Sequence, residues 1–378
     1  MIAVVVAGCG AATPAPSLTP AVSNAPPSRA TVGLGKVLES RDGYQIAGFD
    51  IDRNGTDGVF ATGGTVETFD QNTGKILKSF PNKDPRGTSY TMNAISLGDI
   101  ALVTRYVVPK GSIYAKRYYD VMNPVTANKF TGSWTPPVKD IQVEQMGPNQ
   151  VTSSTALYAI ELKHQDSPLL IVSDIAKNSF SKIVHLPAAG FSLGNSPQLA
   201  QDTATNQAIF AYSPDRGAVG GVAPVNALVD MKTGKITQFN GLNNGYFTAG
   251  DVNGIAVDPK TDIEATDTEL NAQVEFYDLG KETATAVQLP CTGTGSQLAS
   301  GQGIVNDSVN GLFLVTEPEY CNGGGSGAIV VYDEKGDLVE TITGFNFAIA
   351  EPPPVINPGN RMGWALGPHL NQLQQFFY

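Results

Sequence analysis

Glu317 and Glu319, separated by one residue, are the nearest approach to a catalytic pair in this chain. Glycoside hydrolysis needs one carboxyl as acid and a second as base or nucleophile, held a few ångströms apart on a firm frame. Pro318 stands between them and imposes an irregular backbone, so the pair reads as a solvated acidic rim. The three histidines, His164, His185 and His369, belong to separate parts of the chain, and a lone His is more often structural. No Gly-x-Ser-x-Gly elbow and no phosphate loop occurs. Cys291 and Cys321 have neither a His nor a third Cys close by, which argues against a zinc site. These residues point to binding rather than turnover.

What must position them is a repeat. An aromatic or apolar residue followed by Asp recurs at Phe69-Asp70, Tyr119-Asp120, Ser173-Asp174, Val229-Asp230, Tyr277-Asp278 and Tyr332-Asp333, with the Asp positions 48–56 residues apart. A turn and a short strand follow several of them, as in Asp70-Gln-Asn-Thr-Gly74-Lys75-Ile76 and Asp230-Met-Lys-Thr-Gly234-Lys235-Ile236. The Asp side chain accepts from backbone N–H groups further round such a turn, and Gly supplies the positive φ. A second turn precedes each marker, at Asp52-Arg-Asn54-Gly55, Asp258-Pro259, Asp307-Ser-Val-Asn310-Gly311 and Asn357-Pro358-Gly359-Asn360. Two turns alternating at a period near 50 describe a four-stranded antiparallel unit, with strands A to D running outward from an axis. The fold class is therefore all-β, a seven-bladed β-propeller. Its blades span residues 43–81, 88–135, 138–187, 192–240, 247–290, 299–345 and 347–378, the third being the least regular.

Closure is legible at the two ends. Gln372-Leu-Gln-Gln-Phe-Phe-Tyr378 aligns with Gln273-Val-Glu-Phe-Tyr-Asp278, a strand C, so the chain stops before its own strand D. Gly35-Lys-Val-Leu-Glu-Ser40 resembles the strand D Gly74-Lys-Ile-Leu-Lys-Ser79. The last blade is expected to be closed by this N-terminal strand, which removes an open sheet edge. The loops before strand A and between strands B and C then share one end of the ring, the top face. Counting five residues back from each A–B turn places Gln45, Asn93, Asn253 and Gln302 at the channel mouth, flanked by Asp251 and Glu351. The B–C loops add Asp267, Glu269, Glu317 and Glu319. Cys291 and Cys321 also fall at the top of blade six, where a disulfide would stabilise by about 3 kcal/mol in an oxidising compartment. In blade two, Arg105-Tyr106 and Tyr114-Ala-Lys-Arg-Tyr-Tyr119 read as an exposed outer-strand face with charged stems packed on aromatics.

Charged residues are 16% of the chain, while 41 Gly and 25 Pro fit many tight turns. A net charge of −11, unrelieved by a basic cluster, excludes nucleic acid as a partner and opposes binding to anionic membranes. Residues 1–9 end in Val6-Ala7-Gly8-Cys9, which resembles the lipobox of bacterial lipoproteins. That resemblance implies lipidation of Cys9 and an extracytoplasmic, envelope-anchored protein; Gly10 resembles outer-membrane sorting. Residues 10–33 form a Pro/Ala/Ser-rich tether, and residues 34–378 the propeller.

Across residues 35–378 the chain resembles the NHL and YVTN-type propellers, through Asn253-Gly-Ile-Ala-Val-Asp-Pro and the aromatic-Asp-x-x-Thr-Gly-Lys hairpins. A narrower resemblance, to the gluconolactonase and senescence-marker propellers, implies a divalent metal held by Glu, Asn and Asp at the starts of strands A. Asn253 is the position that carries over, with Asp251 beside it; Gln302-Gly303 stands where that family has Asp-Gly, and Gln45 has no matching Glu. Neutral amides hold Ca²⁺ weakly. Quinone-dependent propellers use repeated Trp motifs, which Trp134 and Trp364 do not supply. The expected protein is a non-catalytic, monomeric propeller without a cofactor, touching the membrane through its anchor alone. It binds a protein, glycan or small ligand on its top face; the alternative is a metal-dependent lactonase.

Overall fold

The recurrent Asp closes a hairpin as its position in the repeat requires. In the computed structural model Asp70 Oδ1 accepts from the N–H groups of Asn72 and Thr73 at 3.0 and 2.7 Å, and Gly74 follows at φ 68°. Asp278 Oδ1 does the same for Gly280 and Lys281, and Asp333 Oδ1 for Lys335 and Asp337. Asp70→Ala removes these two bonds and a third from Thr73 Oγ1, all at an exposed turn. It should lower unfolding free energy by about 1 kcal/mol, read by urea denaturation, with Asp70→Asn recovering part of the loss.

These hairpins assemble into seven four-stranded antiparallel sheets. The structure describes residues 31–52, 55–97, 100–123, 132–135, 141–146, 155–162, 169–174, 179–185, 198–202, 207–212, 225–230, 233–239, 252–258, 260–261, 263–268, 273–278, 280–281, 283–289, 303–317, 327–345 and 354–378. Blade one comprises Ile46–Ile51, Asp57–Thr62, Thr65–Asp70 and Ile76–Pro81. Blade two has Gly87–Leu97, Ile100–Pro109, Lys116–Met122 and Gly132–Trp134. The third repeat, the weakest in sequence, still forms a full sheet of Ile141–Met146, Thr155–Leu162, Leu169–Asp174 and Ser179–His185. Blade five runs from strand A, Val252–Asp258, through Ile263–Thr268 and Gln273–Asp278 to Thr283–Gln288. Blade six holds Ile304–Asp307, Leu312–Glu317, Gly327–Asp333 and Leu338–Phe345.

Blade seven is the closure. Its order is Gly33–Glu39, Gln372–Phe377, Met362–Leu366, Val355–Asn357, so the first strand of the described chain is the outer strand of the last sheet. The register pairs Leu38 with Leu373 and Glu39 with Gln372, with a bulge between Leu34 and Val37. Gln374 satisfies that bulge, its Nε2 donating to the carbonyls of Gly35 and Lys36 at 3.2 Å each. A bulged edge would otherwise leave those acceptors unpaired.

The core lies between neighbouring sheets. Leu38, Phe49, Phe60, Phe69, Trp364 and Leu373 join blades seven and one, while Phe276, Phe313, Val330 and Tyr332 join blades five and six. Polar stitches run between inner strands. Asp50 Oδ2 accepts from the Ser96 amide at 2.6 Å, and Asn306 Nδ2 donates to Asp258 Oδ2 at 3.4 Å. At the closure Asn357 Nδ2 donates to Gln71 Oε1 at 3.3 Å.

Two sequence expectations change. The basic, aromatic stretch of blade two occupies strands B and C rather than the outer strand. Arg105 is 4% exposed and bonds Asp120 at 2.5 Å and Asp84 at 3.1 Å, so its charge is consumed inside. Asp120 consequently lies within a strand, partnered by Arg105, and does not cap a turn.

Candidate functional site

The top face is the end where strands A begin and strands B hand over to strands C. At the junction of blades seven and one it is built on two backbone bonds: the Ser40 amide donates to the Asn371 carbonyl, and the Ile46 amide to the Leu370 carbonyl, both at 2.9 Å. The loop before strand A thus lies fixed beside the B–C loop of blade seven. Within it Asp42 accepts from Thr62 Oγ1 at 2.5 Å, from Thr65 Oγ1 at 3.0 Å and from the Tyr44 amide at 3.0 Å. These contacts hold Tyr44 with 61% of its surface exposed, beside exposed Gln45; His369 and Leu370 present the other half of the surface. An aromatic ring and a leucine on a pinned backbone offer apolar contact area at low entropic cost.

Gln45 is therefore at the top face, though not at the channel-mouth position predicted for it. The count of five began at Asp50, which is a mid-strand residue; the turn begins at Asp52, whose amide donates to the Asp57 carbonyl at 2.8 Å. Register shows a second reason. Strand A carries one extra residue near its start in four blades, at Ala47, Met92, Gln142 and Asn253, where pairing slips against strand B. Asn93 falls one residue after the bulge of its blade, so it is not the equivalent of Asn253. In blade two Leu97 pairs with Ile100, so strands A and B are separated by two residues, fewer than in the other blades. The slipped positions thus hold Ala, Met, Gln and Asn. The side chains of Asn93, Asn253 and Asp267 lie outside the described residues. So do Cys9, Asp251, Glu269, Cys291, Gln302, Glu319 and Cys321 altogether.

Glu317 ends strand B of blade six and pairs with Ala328. It departs from the solvated rim expected of it: its exposure is 0%, and neither carboxyl oxygen has a hydrogen-bond partner among the described residues. Burial pushes its pKa up to about 8, so the group is largely protonated at neutral pH. A neutral carboxyl offers one O–H donor and an acceptor, which here stay beneath the surface.

Two further buried carboxyls escaped the sequence reading. Glu275 on strand C of blade five is 5% exposed, and burial raises its pKa to about 7. Glu67, at the same place three residues before the turn Asp of blade one, is fully buried; burial raises its pKa, while the Arg41 amide bonds Oε2 at 3.3 Å. The available signal was a Glu flanked by strand residues, in Val274-Glu275-Phe276 and Val66-Glu67-Thr68. Among the described residues no three His, Cys, Asp or Glu side chains gather as a metal-binding group.

No family model matches the chain, and no curated protein matches it by sequence. Solved structures do match. The chain is similar to one in the crystal structure of a mitotic checkpoint complex, with TM-score 0.59 and 10% identity over 99% of both chains. It is also similar to U3-55K, with TM-score 0.56 and 11% identity over 92% of this chain and 98% of that one. The WD40 repeats of RRP9 match with TM-score 0.57 and 11% identity over the same shares. At such identities the likeness reports backbone architecture alone. With the seven sheets and their strand order, it identifies the chain as an all-β propeller.

Proposed function

We propose that this protein is an extracytoplasmic propeller, anchored through a lipidated Cys9, that binds a partner protein on its top face without catalysis or a resident metal. The observation that carries the reading is the pinned surface of Tyr44, Gln45, His369 and Leu370, where exposed apolar groups stand on a backbone fixed by Ser40–Asn371 and Ile46–Leu370 bonds. Interfaces concentrate their binding free energy in a few such aromatic and aliphatic anchors. The solved propellers that the chain resembles include a component of a multiprotein checkpoint assembly, which supports a scaffold role. The lipobox-like Val6-Ala7-Gly8-Cys9 motif supports both the extracytoplasmic setting and the anchor.

The test is cross-linking in intact envelopes, comparing the wild type with Tyr44→Ser/Leu370→Ser and with Cys9→Ser. The expected result is a defined cross-linked species that the double variant loses by at least about tenfold, equivalent to one or two anchor side chains. Cys9→Ser should move the protein from the detergent-extracted to the soluble fraction. An unchanged cross-link pattern in the double variant would remove the top-face assignment; a Cys9→Ser protein that stays with the membrane would remove the anchor.

A further inference from the structure

Blade two is longer than its neighbours. Its strand A has 11 residues and its strand B 10, where the other strands A have three to seven. The excess lies at the start of strand A, so the ribbon Gly87–Thr91 against Arg105–Pro109 extends the top face. A buried ionic cluster secures its base. Arg105 joins Asp84 and Asp120, Arg86 joins Asp84, and the Arg86 guanidinium lies 3.6 Å from the centre of the Tyr118 ring. Four charges cancel there, and the base is held in one arrangement.

At the tip, residues 110–115 form a loop with its own bonds. The Ser112 amide donates to the Pro109 carbonyl at 2.9 Å, the Tyr114 amide to Ser112 Oγ at 3.0 Å, and Gly111 takes φ 79°. The loop displays Ile113 at 86% exposure and Tyr114 at 76%, the two most exposed large apolar side chains among the described residues. Exposed Lys110 and Lys116 flank them on either side, neither in an ion pair among the described residues. Between Asp99 and Asp120 the chain carries four basic residues and no acidic one, against −11 for the whole protein. Two of the four, Arg105 and Arg117, sit in strands B and C, and the two lysines bracket the loop. The fold brings Arg117 to the loop's foot, stacked 4.9 Å from the Tyr106 ring and bonded to its hydroxyl.

We infer that this tip is a membrane-contact wedge, in which Ile113 and Tyr114 enter the headgroup boundary of a bilayer while Lys110 and Lys116 engage anionic lipid phosphates. Adjacent apolar and aromatic tips with flanking lysines suit the interface, where rings sit at headgroup level and each basic residue near an anionic surface adds attraction. A preordered loop avoids an ordering cost on insertion. The wedge is independent of the acyl anchor and is a contact of the folded ring itself.

The experiment uses the full chain as Cys9→Ser, which removes the acyl group, in co-sedimentation with vesicles of phosphatidylcholine with or without phosphatidylglycerol. Binding should require phosphatidylglycerol and weaken as salt rises, since exposed charges are screened beyond about 8 Å at physiological ionic strength. Ile113→Ser/Tyr114→Ser and Lys110→Glu/Lys116→Glu should each lower partitioning by about tenfold or more. Ile113→Trp gives a second readout: its emission should shift to the blue on adding these vesicles, against buried Trp134 and Trp364. Absence of binding to anionic vesicles overturns the inference. Binding that persists in both double variants, or without the Trp shift, overturns it too. None of these outcomes bears on the cross-linking of Tyr44 and Leu370.

Discussion

Replacing Glu317 by Gln should make the protein more stable at pH 9 and leave it unchanged near pH 4. The carboxyl titrates near 4.5 when exposed and near 8 in the fold, because burial penalises its charge. Below pH 4.5 both states hold the proton and the group contributes no pH dependence. Between 4.5 and 8 the unfolded chain releases the proton while the folded one keeps it, so stability falls as pH rises; above 8 the loss is complete. For a shift of this size the loss is at most about 5 kcal/mol. Glu275 adds the same sign over the narrower window from 4.5 to about 7. Urea denaturation of wild type and Glu317→Gln at pH 4, 7 and 9 measures the difference. Parallel curves across that range would show that the carboxyl is solvated or paired in the fold, and would remove it from the candidate site.

Trp364→Ala should cost about 3–5 kcal/mol, the range for emptying a large buried aromatic site. The ring is 0% exposed, meets Phe69 edge-on at 5.2 Å between centroids, and donates Nε1–H to the Gln71 carbonyl at 3.0 Å. Its strand belongs to blade seven and its partners to blade one, so the loss falls on the seam of the ring. Trp364→Phe keeps most of the volume and should recover more than half, since the Gln71 carbonyl still accepts from Gln375 Nε2 at 2.9 Å and only one of its two bonds is lost. Thermal unfolding of the three proteins checks the order; equal melting temperatures for Ala and wild type would show that the seam does not limit stability.

Architecture was legible because turn chemistry is local. Asp70, Asp230, Asp278 and Asp333 need particular neighbours within four residues, and those neighbours are visible as Thr-Gly-Lys, Leu-Gly-Lys or Glu-Lys-Gly. Closure was legible for the same reason: Gly35–Ser40 carries the pattern of a strand D. Channel-mouth positions were not, because a bulge adds one residue to a strand with no mark in the sequence. Ala47, Met92, Gln142 and Asn253 share a place and no chemistry. The burial of Glu317 was hidden too, since alternation identifies a strand's faces but not how deeply the end of the strand is covered. The cation cluster of blade two needed cross-strand pairing to bring Arg105 to Asp120, fifteen residues away.

The outer strand of blade seven has a consequence for timing. Gly33–Glu39 emerges early in synthesis, yet its partner Gln372–Phe377 lies about 340 residues later, as in the Lys36–Gln375 bond. At ribosomal speeds of roughly 5–20 residues per second, the first strand waits on the order of 20–70 s for its mate. Closing such a loop is the least local step in the fold and the slowest to be rewarded. The ring therefore stays open through most of synthesis, while the six sheets built from consecutive strands need no such wait. A chain cut short before residue 372 keeps an unpaired sheet edge and exposes the template for aggregation. Ring closure thus doubles as a length check, passed when the last strand arrives.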